Sequence, residues 1–336
     1  MTVSEAIDAP DETMAVVTQR EFGGPDVLMA ARAPRPTAGV SEIVVRVMAA
    51  GINPTDTKHR AGQSWTGLPV PVLGWDVSGV VESVGPGVTI HQVGDEVFGM
   101  LPYPHGAAAY AELVVAPARA FARKPSGLDH VQAAALPLSG LTAHQALVDT
   151  AGVTSDHTIL VHAGTGGVGH LAIQIAKARG AEVVATVRAR NHDLARELGA
   201  DRVIDYRSTD FTDEVRDVDV VLDTVGGETR RQSLQVVKAG GQVISLVGDE
   251  TVIDDFGLAA SRGIDLRFLV VEADQAGLQA LGALVEAGRL TPHVTATYSL
   301  DRAAEAHRHV ERGLAAGKCV LIIDASSASD DAETRA

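Results

Sequence analysis

The sequence predicts an α/β chain in which a doubly wound parallel sheet follows an all-β unit, and three observations carry that prediction. Thr158–Val161 is a short apolar run that passes through His162 and Ala163 into Gly164-Thr165-Gly166-Gly167-Val168-Gly169, a G-x-G-x-x-G turn. Residues 168–179 then carry apolar side chains at helical spacing, and Glu182–Val187 is a second β-branched run, which completes a βαβ unit. Further strand-like runs at 202–204, 218–222, 242–247 and 265–271 alternate with helix-compatible segments, the pattern of a parallel sheet covered on both faces.

Each part of the glycine turn has a physical reason. Gly164 allows a tight turn, Gly166 lets backbone N–H groups approach phosphates, and Gly169 lets the following helix pack closely on the strand. Thr165, Gly167 and Val168 fill the turn, which places a pyrophosphate at a helix N-terminus where the dipole favours negative charge. Past the second strand the chain reads Val187-Arg188-Ala189-Arg190, with no acid before Asp193. An acid there would bond the 2′-hydroxyl of NAD, whereas a cation suits the 2′-phosphate, so NADP(H) is the expected cofactor and Arg188 or Arg190 holds its phosphate. Leu246 and Val247, at the end of the run 242–247, join the expected cofactor contacts.

Composition bounds the rest. A chain of 336 residues with 46% hydrophobic content exceeds the usual size of one core, so two domains are expected. A formal net charge of −15 repels nucleic acid and anionic membrane surfaces, which leaves a small molecule as the expected partner. The sequence shows no 18-residue apolar run, and Glu5, Asp8, Asp11 and Glu12 stand where a signal peptide would need a basic start. A cytoplasmic protein is expected. The single cysteine, Cys319, excludes an intramolecular disulfide and a thiolate-based structural zinc site, and its apolar surroundings predict a buried core residue.

Residues 1–13 and 325–336 lack periodic apolar spacing and read as flexible tails. Runs at 14–18, 43–48, 77–84, 96–100 and 111–115, broken by Gly and Pro, read as a small all-β unit. Residues 125–149 look helical and lead into the parallel-sheet half, with Ser139-Gly140-Leu141-Thr142 as the junction. Two helices, 275–287 and 303–312, and a last strand ending near Ile323 follow; the pattern alone leaves open which half they join.

Six segments in order give a more specific reading: Ala49-Ala50-Gly51-Ile52-Asn53-Pro54-Thr55-Asp56, Gly74-Trp75-Asp76-Val77-Ser78-Gly79-Val80-Val81, Val84-Gly85-Pro86-Gly87-Val88, Val93-Gly94-Asp95-Glu96-Val97, Leu141-Thr142-Ala143-His144-Gln145-Ala146-Leu147 and the glycine turn. Over residues 14–323 the chain resembles the medium-chain dehydrogenase/reductase superfamily, in its zinc-independent quinone oxidoreductase branch related to zeta-crystallin. The resemblance implies a GroES-like β-rich catalytic domain from residues 14–139 and 276–324, a Rossmann domain from 140–275, and an active site in the cleft. It also implies a homodimer joined through the edge strand at 265–271.

Zinc-dependent members place a cysteine near Gly51 to Asn53 and a histidine near Trp75, and neither is present, so no metal is expected. His59, Asp76 and His105 make a poor substitute. The resemblance then implies hydride transfer from NADPH to an acceptor that is already electrophilic, a quinone or an α,β-unsaturated ketone or aldehyde. Asn53 is expected to offer its amide to the carbonyl oxygen, and Thr142 to lie near the nicotinamide ribose. Many relatives carry a tyrosine where Lys58 stands; Lys58 either stabilises the enolate oxygen, or supplies a proton, or pairs with Asp56 or solvent. Trp65, Tyr103 and His105 fall in loops that would edge the substrate pocket, and Tyr206 matches a tyrosine that touches the 2′-phosphate. Two other readings stay open, a zinc alcohol dehydrogenase-like enzyme and a non-enzymatic NADPH-binding protein of structural or regulatory role.

Overall fold

The computed structural model describes residues 13–63, 73–105, 107–313 and 316–323. Trp65 and, Thr13 apart, both expected tails lie outside these residues. The chain divides into two compact units, one running to Leu138 and taking up Ala273–Gln279 and the stretch from Val294, the other holding Ser139–Glu272 and Ala280–His293.

The first unit opens with β1 (Thr13–Thr18) and β2 (Met29–Pro34), an antiparallel pair in register from Thr13↔Pro34 to Thr18↔Met29. Then come β3 (Glu42–Ile52), α1 (Pro54–Arg60), β4 (Asp76–Val84), β5 (Glu96–Met100), β6 (Leu113–Pro117), β7 (Phe121–Arg123) and α2 (His130–Ala134). Strand β3 is the hub: it pairs with β4 and β6, and most of its residues are buried on both faces, which is why it reads as a near-continuous apolar run. Its small residues Ala49, Ala50 and Gly51 admit α2; a Cβ on Gly51 would lie 2.4 Å from the carbonyl oxygen of Ala134.

The helical stretch expected at 125–149 breaks into α2, α3 (Pro137–His144) and a π-helical segment Gln145–Thr150. Pro137 lacks the N–H needed to continue α2, so the second helix starts there. The strands β2 and β7 were not foreseen, because Met29-Ala30-Ala31-Arg32-Ala33-Pro34 and Phe121-Ala122-Arg123 contain no β-branched residue.

The second unit holds β8 (Thr158–Val161), α4 (Gly169–Ala178), β9 (Glu182–Val187), α5 (His192–Glu197), β10 (Arg202–Asp205), α6 (Phe211–Glu214), β11 (Val218–Asp223), α7 (Gly227–Ser233), β12 (Val237–Ser245), α8 (Val252–Ser261) and β13 (Asp265–Phe268), followed by α9 (Gln275–Glu286), which ends in it. The six strands pair in parallel in the order β10-β9-β8-β11-β12-β13, so the order reverses between β8 and β11. This is the doubly wound sheet that alternation predicted, and its switch point is where such sheets bind ligands. Strand β12 begins earlier than the apolar run suggested, because Gly240 and Gly241 interrupt the pattern, and it ends at Ser245. Leu246 and Val247 therefore lie in its exit loop.

The chain then returns with β14 (Val294–Ser299), α10 (Ala303–Glu311) and β15 (Lys318–Ile322). Strand β15 pairs antiparallel with β3, Cys319↔Ile52 through Ile322↔Ala49, and parallel with β14. That pairing answers part of the question the sequence left open: β14 and β15 complete the first unit's sheet, in the order β14-β15-β3-β4-β5-β7, whereas Ala280–His293, expected there as part of 276–324, belongs to the second unit. Cys319 is buried, as its apolar setting predicted. No described helix is long and apolar enough to cross a membrane.

Candidate cofactor and substrate sites

In the second unit the glycine turn joins β8 to α4. Ala163, not Gly164, takes the left-handed conformation, with φ of 47°. Gly164 is needed for packing instead, since a Cβ there would sit 2.8 Å from Cβ of Ala185 in β9. Gly169 is the tightest of the three, its Cβ falling 2.3 Å from the Ala163 carbonyl oxygen and 2.8 Å from Cα of Gly164. Gly166 and Gly167 remain part-exposed backbone directly before the first turn of α4, where N–H groups lack intrahelical partners. Thr165 is buried, and its Oγ1 accepts a 3.0 Å bond from Nδ2 of Asn191, which ties the turn to the segment after β9. These features fit a dinucleotide's phosphates: a cradle closed to side chains and open to an anion.

The register Asp205↔Val187 between β10 and β9 sets the next residues side by side. Arg188 Nε accordingly donates a 2.7 Å bond to the Tyr206 hydroxyl. Arg190 lies exposed in the turn that follows. A cavity of about 590 Å³ opens at the C-terminal ends of these strands, lined by His162, Ala163, Thr186, Tyr206, Arg207, Ser208, Phe211 and Val225 among others. Arg207 and Ser208 were not foreseen; their position directly after Tyr206 was the available signal.

His162 supports this cavity from within. Ser233 Oγ gives its proton to the Thr229 carbonyl, so it accepts from His162 Nε2–H at 2.8 Å, and Nδ1 then accepts from Thr186 Oγ1 at 3.0 Å. Burial pushes the imidazole pKa down to about 4, so it stays neutral. Across the switch point Asp223 accepts from the N–H groups of Val225 and Gly226 and from Ser245 Oγ, which fixes the ends of β11 and β12. The exit loop carrying Val247 is held by Arg230, buried in α7, which bonds the Val247 carbonyl, Asp249, Thr251 and Asp255. Thr142 is buried in α3.

In the first unit, the segment Asn53 to Arg60 forms the second group. Asn53 caps α1, and Asp56 answers by accepting from the Asn53 N–H at 2.6 Å, a capping box. The side chain of Asn53 is 1% exposed; its amide donates to Asp76 at 2.9 Å and its oxygen accepts from Lys318. Asn53 is thus a link in a buried network in which one of the two protons of its amide goes to Asp76. Asp76 also accepts from Leu138 N–H and pairs with Lys318 at 3.2 Å, all buried. Lys58 is exposed and does not take part, so the lysine beside Asn53 and Asp76 comes from the far end of the chain.

Asp56 is fully buried, and desolvation, aided by the charge of Asp76, pushes its pKa up to about 7. A donor chain runs behind it. Arg60 can only donate, so His307 Nδ1 accepts at 3.1 Å and Nε2–H faces the Tyr110 hydroxyl at 3.0 Å. Burial, with Arg60 second, pushes His307 down to about 3.

Tyr103 meets the same helix from the other loop. Its hydroxyl lies 3.2 Å from Thr55 Oγ1, and its ring stands edge-on to Trp75 at 5.2 Å. His105, two residues on, is exposed. The donors here do not suit a catalytic zinc. Trp75 offers an N–H and no lone pair, Asp76 is taken up by Lys318 and Asn53, and a Cβ on Gly51 would lie 2.6 Å from Oδ2 of Asp76. Among the described residues no group of three or more His, Cys, Asp or Glu is placed to hold a metal.

Known proteins agree with this architecture. Residues 39–126 match the alcohol dehydrogenase GroES-like domain, and residues 198–321 match the family described as zinc-binding dehydrogenase. The chain is 35% identical over 331 residues to a 2-methylene-furan-3-one reductase of Solanum lycopersicum, covering 95% of this chain and 81% of that protein. It is 34% identical over 333 residues to an NADPH-dependent alkenal/one oxidoreductase of Arabidopsis thaliana, covering 96% and 82%. The solved quinone oxidoreductase from Coxiella burnetii superposes with a TM-score of 0.87 at 34% identity, over 93% of this chain and 100% of that one. With a GroES-like first unit, a parallel nucleotide-binding sheet and these relatives, the chain belongs to the medium-chain dehydrogenase/reductase superfamily, in its branch of quinone oxidoreductases and enone reductases.

Proposed function

We propose that this protein is an NADPH-dependent reductase of α,β-unsaturated ketones or aldehydes, or of quinones, and that it works without zinc. The observation that carries the cofactor is the Arg188–Tyr206 pair at the exits of β9 and β10, where a guanidinium stands in place of an acid. The relatives named for a methylene-furanone and for alkenals support the acceptor class. When bound, the nicotinamide supplies a hydride.

The chain's own residues bind and orient. Gly164, Thr165, Gly166, Gly167, Val168 and Gly169 cradle the pyrophosphate, while Arg188, Arg190 and Tyr206 take the 2′-phosphate. Thr142, Leu246 and Val247 are assigned to the nicotinamide end. Lys58, exposed on α1, sets a cation against the oxyanion that forms on the substrate. We extend the reading to a homodimer joined through β13, an edge strand of the six-stranded sheet.

Steady-state oxidation of NADPH by 2-cyclohexen-1-one or 1,4-benzoquinone, before and after exhaustive chelation, tests the proposal. Activity that survives chelation, in protein without stoichiometric zinc, is expected. One equivalent of tightly bound zinc whose removal abolishes turnover would overturn it.

A further inference from the structure

The residue that protonates the substrate is open, because the helix position held by tyrosine in many relatives is Lys58 here. The structure brings another tyrosine to that helix from outside it. Tyr103, in the loop after β5, sets its hydroxyl 3.2 Å from Thr55 Oγ1 in the first turn of α1. Both residues are partly exposed, so neither is sealed in the core. Thr55 and Lys58 are three residues apart on α1, hence neighbours on one face.

The surroundings of Tyr103 are unfinished in a way that points to a ligand. Its ring packs against Trp75 at 5.2 Å and His59 at 6.0 Å, and those two rings meet edge-on at 4.8 Å. Trp75 is 0% and His59 2% exposed, and among the described residues neither Nε1 of the indole nor Nε2 of the imidazole has a hydrogen-bond partner. A buried polar atom left unpaired is destabilising, and two of them against one tyrosine are uncommon in a native core. The only nearby carboxylate on α1, Asp56, is turned inward to the N–H groups of Asn53 and Gly74. Burial, and the charge of Asp56, hold the Tyr103 phenol above its ordinary pKa, so it keeps its proton at neutral pH.

We propose that Tyr103 is the catalytic acid: its hydroxyl bonds the substrate carbonyl oxygen and gives it a proton, with Thr55 as the relay that restores it. This rests on the reductase reading above. Hydride adds to the β-carbon, the C=C electron pair moves to join the α-carbon and carbonyl carbon, and the C=O pair moves onto oxygen. The Oη–H bond of Tyr103 breaks as the new O–H bond forms, giving the enol. Tyrosinate regains its proton from water through Thr55, and the enol tautomerises to the saturated ketone. One reduced dinucleotide and one proton are consumed.

The test compares the whole protein with Tyr103→Phe and Thr55→Val, using 2-cyclohexen-1-one and 1,4-benzoquinone with NADPH. General acids contribute roughly 10²- to 10⁴-fold, so Y103F should lose about 10²-fold or more in kcat on the enone. It should lose less on the quinone, which is more electrophilic, and bind NADPH as tightly as wild type by fluorescence titration. T55V keeps the phenol and should lose several-fold in kcat with a larger solvent deuterium isotope effect. Y103F within threefold of wild type on the enone would overturn the proposal, and so would T55V unchanged in both kcat and isotope effect, even if Y103F does not fold. A wild-type protein inactive with both acceptors would overturn the reductase reading and this inference together; wild-type activity with indifferent variants overturns the inference alone.

Discussion

The Arg188 guanidinium donates from Nε to the hydroxyl of Tyr206 at 2.7 Å, and the parallel register of β9 and β10 is what makes the two neighbours. The bond orients the fork while using only one of its nitrogens. A charge-assisted bond to phosphate contributes about 1.5–3 kcal/mol, which is roughly a tenfold to hundredfold change in affinity. Arg188→Ala should raise KM for NADPH by about that factor and leave NADH nearly unaffected. Tyr206→Phe should have a smaller effect of the same kind, since the arginine loses its support and keeps its charge. Steady-state kinetics with both cofactors checks this, and equal losses for the two would mean that the arginine serves the fold.

Lys318 makes a different kind of prediction. It is 2% exposed against an Asp76 that is 0% exposed, so removing it leaves a buried carboxylate without its cation. Breaking such a pair costs about 3–5 kcal/mol. Lys318→Met should therefore lower denaturant stability by about that much, and the double variant with Asp76→Asn should recover part of the loss. Chemical unfolding of the four proteins of this cycle measures it.

Asp56 should make stability depend on pH in an unusual direction. Its folded pKa of about 7 lies above the ordinary carboxyl value, so between those limits the folded protein keeps a proton that the unfolded chain has released. Stability from this group falls as pH rises from about 4 to about 7. Asp56→Asn does not titrate, and the buried histidines His162 and His307 are common to both proteins. The stability of D56N minus that of wild type should therefore climb with pH across this window, with a slope of at most about 1.4 kcal/mol per unit. A flat difference between pH 4 and 7 would contradict it.

Much of the fold was legible because pattern and chemistry coincided. Thr158–Val161, the glycine turn and Glu182–Val187 each carry a local signal, and the structure has β8, the turn and β9 there. What escaped were β2 and β7, which contain no β-branched residue, the short strand β14 between two helices, and elements set by contacts distant in sequence. Lys318 is the sharpest case. Its side chain reaches Asn53 and Asp76 only because β15 pairs with β3, and no window of sequence contains that pairing. The same contact explains why Asn53 reads as a free polar residue in sequence and is a buried link in the structure. Tyr103 was legible as a loop residue, whereas its hydroxyl partner Thr55 was not, since 48 residues separate them.

Association should follow from the open edge of the six-stranded sheet. Strand β13 pairs with β12 and stands last in the strand order of the six-stranded sheet, the position from which a second copy can extend it. Light scattering at micromolar concentration should give a dimer, and Leu269→Glu, directly after β13, should shift it toward monomer. A monomeric wild-type protein would contradict this.

An NADPH-dependent reductase of enones or quinones must turn over such acceptors and favour the phosphorylated dinucleotide. The most direct measurement is the initial rate of 2-cyclohexen-1-one and 1,4-benzoquinone reduction with NADPH and with NADH, on the same purified protein. Turnover of at least one acceptor is expected, with a kcat/KM for NADPH that exceeds that for NADH by about tenfold or more, on the order of a single phosphate contact. Preference for NADH, or no oxidation of either cofactor by either acceptor, would contradict it.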